Sequence, residues 1–208
     1  LNWSIRRCTR PGHKFPKDVD DISRRFFLRN AVTIRDEMID DACFIVNSDQ
    51  TQVLYSAGNK LTYAKKGAKQ VAVVGADEKR AFTLMVGISA SGEALPFQAI
   101  YQGTDASRSL PKANARGMAE ARELGFLFVL SRTKTYWATL ETMKAYVVEI
   151  LVPYFEKHRS RLPPKRRQKQ KCIWNIDVWS VHRSEDFRDW MKTAYTWIIV
   201  IYIPGGCT

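Results

Sequence analysis

The chain is poor in cysteine and histidine, has no long apolar run, and is short of acidic residues. Its four cysteines, Cys8, Cys43, Cys172 and Cys207, are scattered without a C-x-x-C pair, and only three histidines accompany them. That pattern signals neither a zinc site nor a disulfide framework, and reduced thiols in an intracellular compartment fit it best. No charged-then-apolar leader opens the sequence. The longest apolar run near its end, WIIVIYI at 197–203, is far too short to span a bilayer and reads as a buried strand. No internal repeat or long low-complexity segment is present. Against 33 Lys and Arg stand 21 Asp and Glu, a net charge of +12. A surplus of that size favours a polyanionic partner, nucleic acid before an anionic membrane surface.

What is present is enough apolar material for one sizeable core: 208 residues, 45% hydrophobic and 12% aromatic. Residues 1–17 are basic, hold two prolines and a glycine, and read as a linker. Over 18–40, Ile22, Phe26, Leu28, Val32 and Met38 recur at roughly helical spacing behind first-turn acids. The run CFIVNSD (43–49) predicts a strand that delivers Asp49 to a sheet edge, and strands follow at 69–75, 81–90 and 94–103. The last two are joined at Ser91, Gly92 and Glu93 as a hairpin. Residues 104–124 are polar and irregular, and GFLFVLS (125–131) reads as a further strand.

The longest helical pattern covers 139–159, with Met143, Tyr146, Val147, Ile150, Leu151 and Tyr154 as one stripe. Pro153 should kink it or mark its last turns. RSRLPPKRRQKQK (159–171) has seven basic residues in thirteen. It reads as a solvated loop, a phosphate contact or a nuclear-import signal. A strand at 172–177, a helix capped by Ser184 and a closing strand complete the order. An initial meander followed by strands alternating with helices is an α/β pattern, a mixed sheet flanked by helices with its chemistry at strand ends.

Two acids, Asp49 and Asp177, each follow an apolar run. On neighbouring strands their carboxylates would meet, and like charges so placed repel unless a cation lies between them. Mg²⁺ takes oxygen ligands and keeps waters, so few carboxylates can hold it while a phosphate supplies the rest. An aspartate at a strand end is more often a turn or cap residue, so spacing alone does not decide the matter.

NSDQT (47–51), KRAFTLMVGISASGEALPFQAIYQG (79–103), NIDVWSVHRSEDFRDWM (175–191) and YIPGGCT (202–208), in that order, resemble the DDE superfamily of transposase endonucleases. The branch they resemble is the pogo or Tigger-like one related to centromere protein B. The resemblance covers 18–208 and implies a ribonuclease-H-like fold, metal-dependent DNA strand cleavage and joining with Mg²⁺ or Mn²⁺, and a nuclear location.

It carries Asp49 onto the first acid of the family's triad and Asp177 onto the second, with His182 and Gln50 as neighbours of the site. Carboxylates that share two ions about 4 Å apart should lie within about 8 Å of each other. The third acid of the family lies beyond the last motif and is expected to be missing from this chain, which predicts impaired catalysis. Trp179 is expected to pack on the following helix, with base stacking as its other use. The family's helix-turn-helix units are reduced here to the linker-like 1–17. DNA contact then falls to non-specific phosphate attraction by Arg6, Arg7 and Arg10 and by Lys165, Arg166, Arg167, Lys169 and Lys171. DNA is the implied partner, a membrane is not, and a homodimer is compatible with the reading. The alternative is a non-catalytic, host-retained domain for nucleic-acid binding or protein interaction.

Overall fold

The computed structural model of the chain describes residues 16–55 and 80–205. Six strands form one sheet: β1 (Ile45–Leu54), β2 (Ala81–Ser89), β3 (Gln98–Tyr101), β4 (Leu127–Leu130), β5 (Cys172–Asp177) and β6 (Ile198–Ile203), in the order β4-β3-β2-β1-β5-β6. β1, β2 and β3 run antiparallel as a meander, whereas β4 joins β3, β5 joins β1 and β6 joins β5 in parallel. This is the α/β mixed sheet expected, meander first and parallel strands after. The strand expected at 69–75 lies outside the described residues.

Packing of one sheet face follows from alternation. Along β2, Ala81, Thr83, Met85, Gly87 and Ser89 are buried while Phe82, Leu84, Val86 and Ile88 are not, the period-two signature of a sheet with one face in the core. On that inner face a polar link crosses three elements. Trp174 Nε1–H of β5 donates to Ser48 Oγ of β1 at 3.0 Å, and Ser48 Oγ lies 3.0 Å from the Tyr146 hydroxyl on the covering helix. All three residues are almost fully buried. Gly87 makes room for it, since a Cβ there would sit 2.5 Å from the Tyr146 hydroxyl.

Seven α-helices, one 3₁₀ turn and one π-helical turn accompany the sheet among the described residues. The covering rod is α4 (Leu140–Tyr146), a π-helical turn (Val147–Leu151) and α5 (Val152–Arg159). Thr139 and Thr142 close α4's start as a reciprocal capping box. Pro153 was expected to kink this rod or end it. A proline lacks an N–H and crowds the carbonyl four residues back, and the wider π turn immediately before α5 absorbs that conflict, so the helix runs on to Arg159. The expected stripe Met143, Tyr146, Val147, Ile150, Leu151 and Tyr154 is buried in the main core, and Phe155 joins it there.

The stripe expected on the first helix is corrected. α1 (Val19–Asp36) has no buried residue, and Leu28, Val32 and Met38 are exposed. The side that packs against the core carries Phe26 and Ile34, eight positions apart. Leu28 is two positions, about 200°, round from Phe26. The polar stretch 104–124 contains two short helices, α2 (Ala106–Ser109) and α3 (Met118–Glu123).

The basic segment 159–171 is not an open loop. Pro164 takes the first position of α6 (Pro164–Lys169), where its missing N–H costs nothing. Arg159 is buried: its guanidinium lies 4.1 Å from the Trp197 ring centroid, pairs with Glu156 and donates to the Arg167 carbonyl at 2.9 Å. α7 (Glu185–Ala194) starts as expected from Ser184, whose Oγ accepts the Phe187 N–H at 3.3 Å. Cys43 and Cys172 are free and buried, and burial pushes both thiols up, Cys43 to about 12. No described helix is long and apolar enough to cross a membrane.

Candidate functional site

β1 and β5 pair in parallel from Ile45 opposite Ile173 to Ser48 opposite Ile176. One step further along this register stand Asp49 and Asp177. Asp49 does not end its strand, as the sequence suggests. β1 continues to Leu54 because β2 supplies a partner as far as Ala81. Asp177 does close β5, with Ile203 of β6 as its neighbour on the other side. Side chains alternate along a strand, so Asp49 and Asp177 share one face with Asn47 and Asn175 and point away from the Ser48–Trp174 link.

The same short pattern, Asn-x-Asp, occurs in both strands as NSD and NID, and the register sets Asn47 against Asn175. This was the signal available for adding the two asparagines to the site. Reading the acids one at a time misses it.

Asp49 is exposed, and its Oδ1 accepts the N–H of Gln50 at 2.8 Å. Asp177 keeps 28% of its side chain exposed, yet its Oδ1 is buried and accepts no hydrogen bond. The Asn175 Oδ1 is likewise buried without a partner. A buried carboxylate oxygen lacking a donor is costly unless a cation or a water completes it. Hard oxygen donors of this type suit Mg²⁺ or Mn²⁺. The residues present therefore fit a divalent ion at Asp49 and Asp177. Among the described residues no group of three or more His, Cys, Asp or Glu side chains is placed to hold a metal.

His182 is fully buried. Its Nδ1 lies 3.1 Å from the Asp177 main-chain oxygen, with hydrogen-bond geometry, and 2.9 Å from Asp177 Oδ1. The carboxylate contact is close in distance but off the N–H axis, which is why Oδ1 still lacks a donor. The ring's Nε2 faces Gln50 Nε2 at 3.2 Å and Met143 Sδ at 3.4 Å. His182 thus touches Asp177, Gln50 touches His182, and Met143, read from sequence only as part of an apolar stripe, lies against both Gln50 and His182.

Trp179 makes its ring contact with the segment before α4. It stacks on Trp137 at 5.5 Å with 30° between the rings, and Trp137 in turn lies 5.4 Å from Tyr136. Tyr136 accepts from Gln52 of β1, and its main-chain oxygen accepts from Thr83 at 2.7 Å. Trp137 itself remains about half exposed.

The basic residues divide. Arg6, Arg7 and Arg10 lie outside the described residues. Arg166 pairs with Asp40, Arg167 donates to the carbonyls of Arg159, Ser160 and Leu162, and Lys171 donates to Thr196 at 2.8 Å. Lys165 and Lys169 are exposed and pair with no carboxylate among the described residues. The segment precedes β5, at the opposite end of that strand from Asp177, about 17 Å away at 3.3 Å per residue. The structure therefore does not bring the cationic helix and the two acids together.

No family model matches the chain, and no curated protein matches it. Among solved structures, the Mos1 mariner paired-end complex with Mn has 14% identity and a TM-score of 0.48, over 95% of this chain and 46% of that chain. A pre-cleavage Mos1 transpososome has 12% identity and a TM-score of 0.47, over 95% and 47%. The catalytic domain of Mos1 mariner transposase has 12% identity and a TM-score of 0.44, over 91% and 62%. The chain spans about half the length of the complexes' protein chains.

Proposed function

We propose that this chain is a DNA-processing domain of the DDE transposase type, in the pogo or Tigger-like branch, acting on phosphodiester bonds with a divalent ion. The observation that carries the reading is the parallel register that brings Asp49 level with Asp177, with a buried Asp177 oxygen left without a donor. The ordered motifs and the net charge of +12 support DNA as the substrate and a nuclear location.

Asp49 and Asp177 would hold Mg²⁺ or Mn²⁺. When bound, such an ion neutralises phosphate charge and makes a bound water a better nucleophile. The chain's own contribution is to keep two carboxylates level on adjacent strands, and to attract the phosphate backbone without reading sequence. The described residues supply two acids, so a two-ion centre requires a third carboxylate from outside them, and two alone support only weak cleavage. That count also favours a second reading, a domain that binds DNA without cutting it.

The test is nicking of supercoiled DNA with Mn²⁺, alongside Mn²⁺ binding, in the wild type and in Asp49→Asn and Asp177→Asn. Loss of nicking and of Mn²⁺ affinity in both variants supports the nuclease. DNA binding unchanged in both variants, with no metal-stimulated nicking in any of the three proteins, replaces it with the binding domain.

A further inference from the structure

The segment that links β4 to α4, residues 131–138, is a strap laid across one end of the sheet. Three hydrogen bonds fix it there: Ser131 N–H donates to the Tyr101 carbonyl at 2.8 Å, Gly103 N–H to that of Thr133 at 3.2 Å, and the Thr83 hydroxyl to that of Tyr136 at 2.7 Å. Gln52 of β1 adds a fourth, to the Tyr136 hydroxyl. Within the strap the Ser131 hydroxyl donates to the Thr135 carbonyl and accepts the Thr133 N–H at 3.2 Å. From β4 to its ring contact with Trp179 beyond β5, the strap crosses four strand spacings, about 19 Å at about 4.8 Å each.

This is the end of the sheet at which the two acids lie. Gln52 is three residues past Asp49, about 10 Å along β1, and Trp179 is two past Asp177. Cations gather here as well. Arg132, Lys134 and Arg183 are exposed and pair with no carboxylate among the described residues. Arg183 is tied to the aromatic stack by its main chain, whose N–H donates to the Trp179 carbonyl at 3.1 Å. Arg132 has a φ of 57°, a left-handed conformation that residues with a side chain rarely adopt. Strain of that kind clusters at ligand clamps. Trp137 stands between the two groups of cations, 45% exposed, with Trp179 stacked against it. Ser131, Thr133 and Tyr136 hold the strap in place, whereas Arg132, Lys134 and the exposed part of Trp137 have no part in that.

Cations interleaved with an aromatic ring hold a single nucleic-acid strand, the charges tracking phosphates and the ring stacking on a base. In duplex DNA the faces of each base are covered by its neighbours, so a side-chain ring takes a base only after it has left the stack. We propose that the strap and the turn after β5 form a binding surface for an unpaired stretch of DNA, in which Trp137 stacks on a base while Arg132, Lys134 and Arg183 contact phosphates. Trp179 then backs Trp137 and does not itself meet the base. The inference rests on the reading of the chain as a DNA-processing domain for its ligand, and does not depend on the metal. It places unpaired DNA at the end of the sheet that carries Asp49 and Asp177, the end that Lys165 and Lys169 do not reach.

The experiment is fluorescence anisotropy of labelled DNA titrated with the full chain in EDTA, using oligo-dT of about 15 nucleotides and a blunt duplex of the same length. Trp137→Leu should weaken oligo-dT binding about 5- to 150-fold, the range for one stacked base, and leave duplex binding within about twofold. Trp137→Phe, which keeps a ring, should recover most of the loss. Arg132→Gln with Lys134→Gln should lower the slope of log affinity against log salt for oligo-dT by about 1.4, at 0.7 per phosphate contact. Both of those side chains are exposed, so this variant decides the matter even where Trp137→Leu fails to fold. Oligo-dT binding unchanged in Trp137→Leu, an equal loss on the duplex, or an unchanged salt slope in the double variant overturns the proposal. Nicking with Mn²⁺ separates this surface from the nuclease reading. Its absence, with the oligo-dT results as expected, removes the nuclease and leaves the surface; its presence, with oligo-dT binding indifferent to Trp137→Leu, removes the surface and leaves the nuclease.

Discussion

Replacing Ser48 by alanine removes one oxygen and disturbs three elements. In the native fold that oxygen accepts the Trp174 indole N–H at 3.0 Å and meets the Tyr146 hydroxyl at 3.0 Å, all of it buried. Gly87 is the near neighbour on β2, where a single added Cβ would lie 2.5 Å from the Tyr146 oxygen. Ser48→Ala leaves two buried polar groups unpaired, at about 1–3 kcal/mol each, so a loss of about 2–6 kcal/mol is expected. Tyr146→Phe removes one partner and leaves Ser48 still accepting from Trp174, a loss near 1 kcal/mol. In the double variant only the indole N–H is orphaned, so the two changes should cost less together than their sum. Urea denaturation followed by circular dichroism measures all three, the slope serving to confirm that the same surface is exposed. At about 2–4 °C per kcal/mol for a chain of this size, Ser48→Ala should lower Tm by roughly 4–24 °C. The reasoning is refuted if Ser48→Ala costs no more than Tyr146→Phe, or if the two losses simply add.

Two further outcomes are expected. Burial raises the Tyr146 hydroxyl from 10.0 to about 12, so the folded state keeps a proton that the unfolded state releases. This contribution is full below pH 10, is lost between pH 10 and about pH 12, and amounts to roughly 2–3 kcal/mol. Urea midpoints across that range should fall less steeply for Tyr146→Phe than for the wild type, and equal slopes would remove Tyr146 from the account. Lys165→Gln with Lys169→Gln should reduce the slope of log affinity against log salt for duplex DNA by about 1.8, at 0.9 per phosphate contact. No change in slope would mean that α6 does not face DNA, whereas Arg167→Gln should act on stability instead, since its donors go to three carbonyls of its own segment.

Elements whose local and tertiary demands agree were legible in the sequence. The hairpin of β2 and β3, the Ser184-capped α7 and the apolar β6 fall where their patterns point. The misreadings arise where a neighbour overrides the local signal. The polar run Asn47 to Gln52 reads as a strand end, but β2 lies alongside as far as Leu54 and completes the backbone bonds. Pro163 and Pro164 suggest a break, yet the second of them opens a helix. The two acids were visible as isolated residues, and their mutual level came only from the β1–β5 register. That His182 reaches back to Asp177 and is met by Gln50 was beyond any spacing rule, because it depends on how two turns close after β5.

The parallel pairing of β1 with β5 also joins residues more than a hundred positions apart in the chain. Closing a flexible connection becomes only about 0.6 kcal/mol harder when its length doubles. That is less than the loss expected from the single hydroxyl of Ser48. The intervening surface segments are therefore free to lengthen or shrink over evolutionary time at little thermodynamic cost, while one buried oxygen in β1 tolerates no such freedom. In a lineage of such chains, length should vary between the two acids, and the residues flanking Asp49 and Asp177 on the sheet should be the ones that cannot drift.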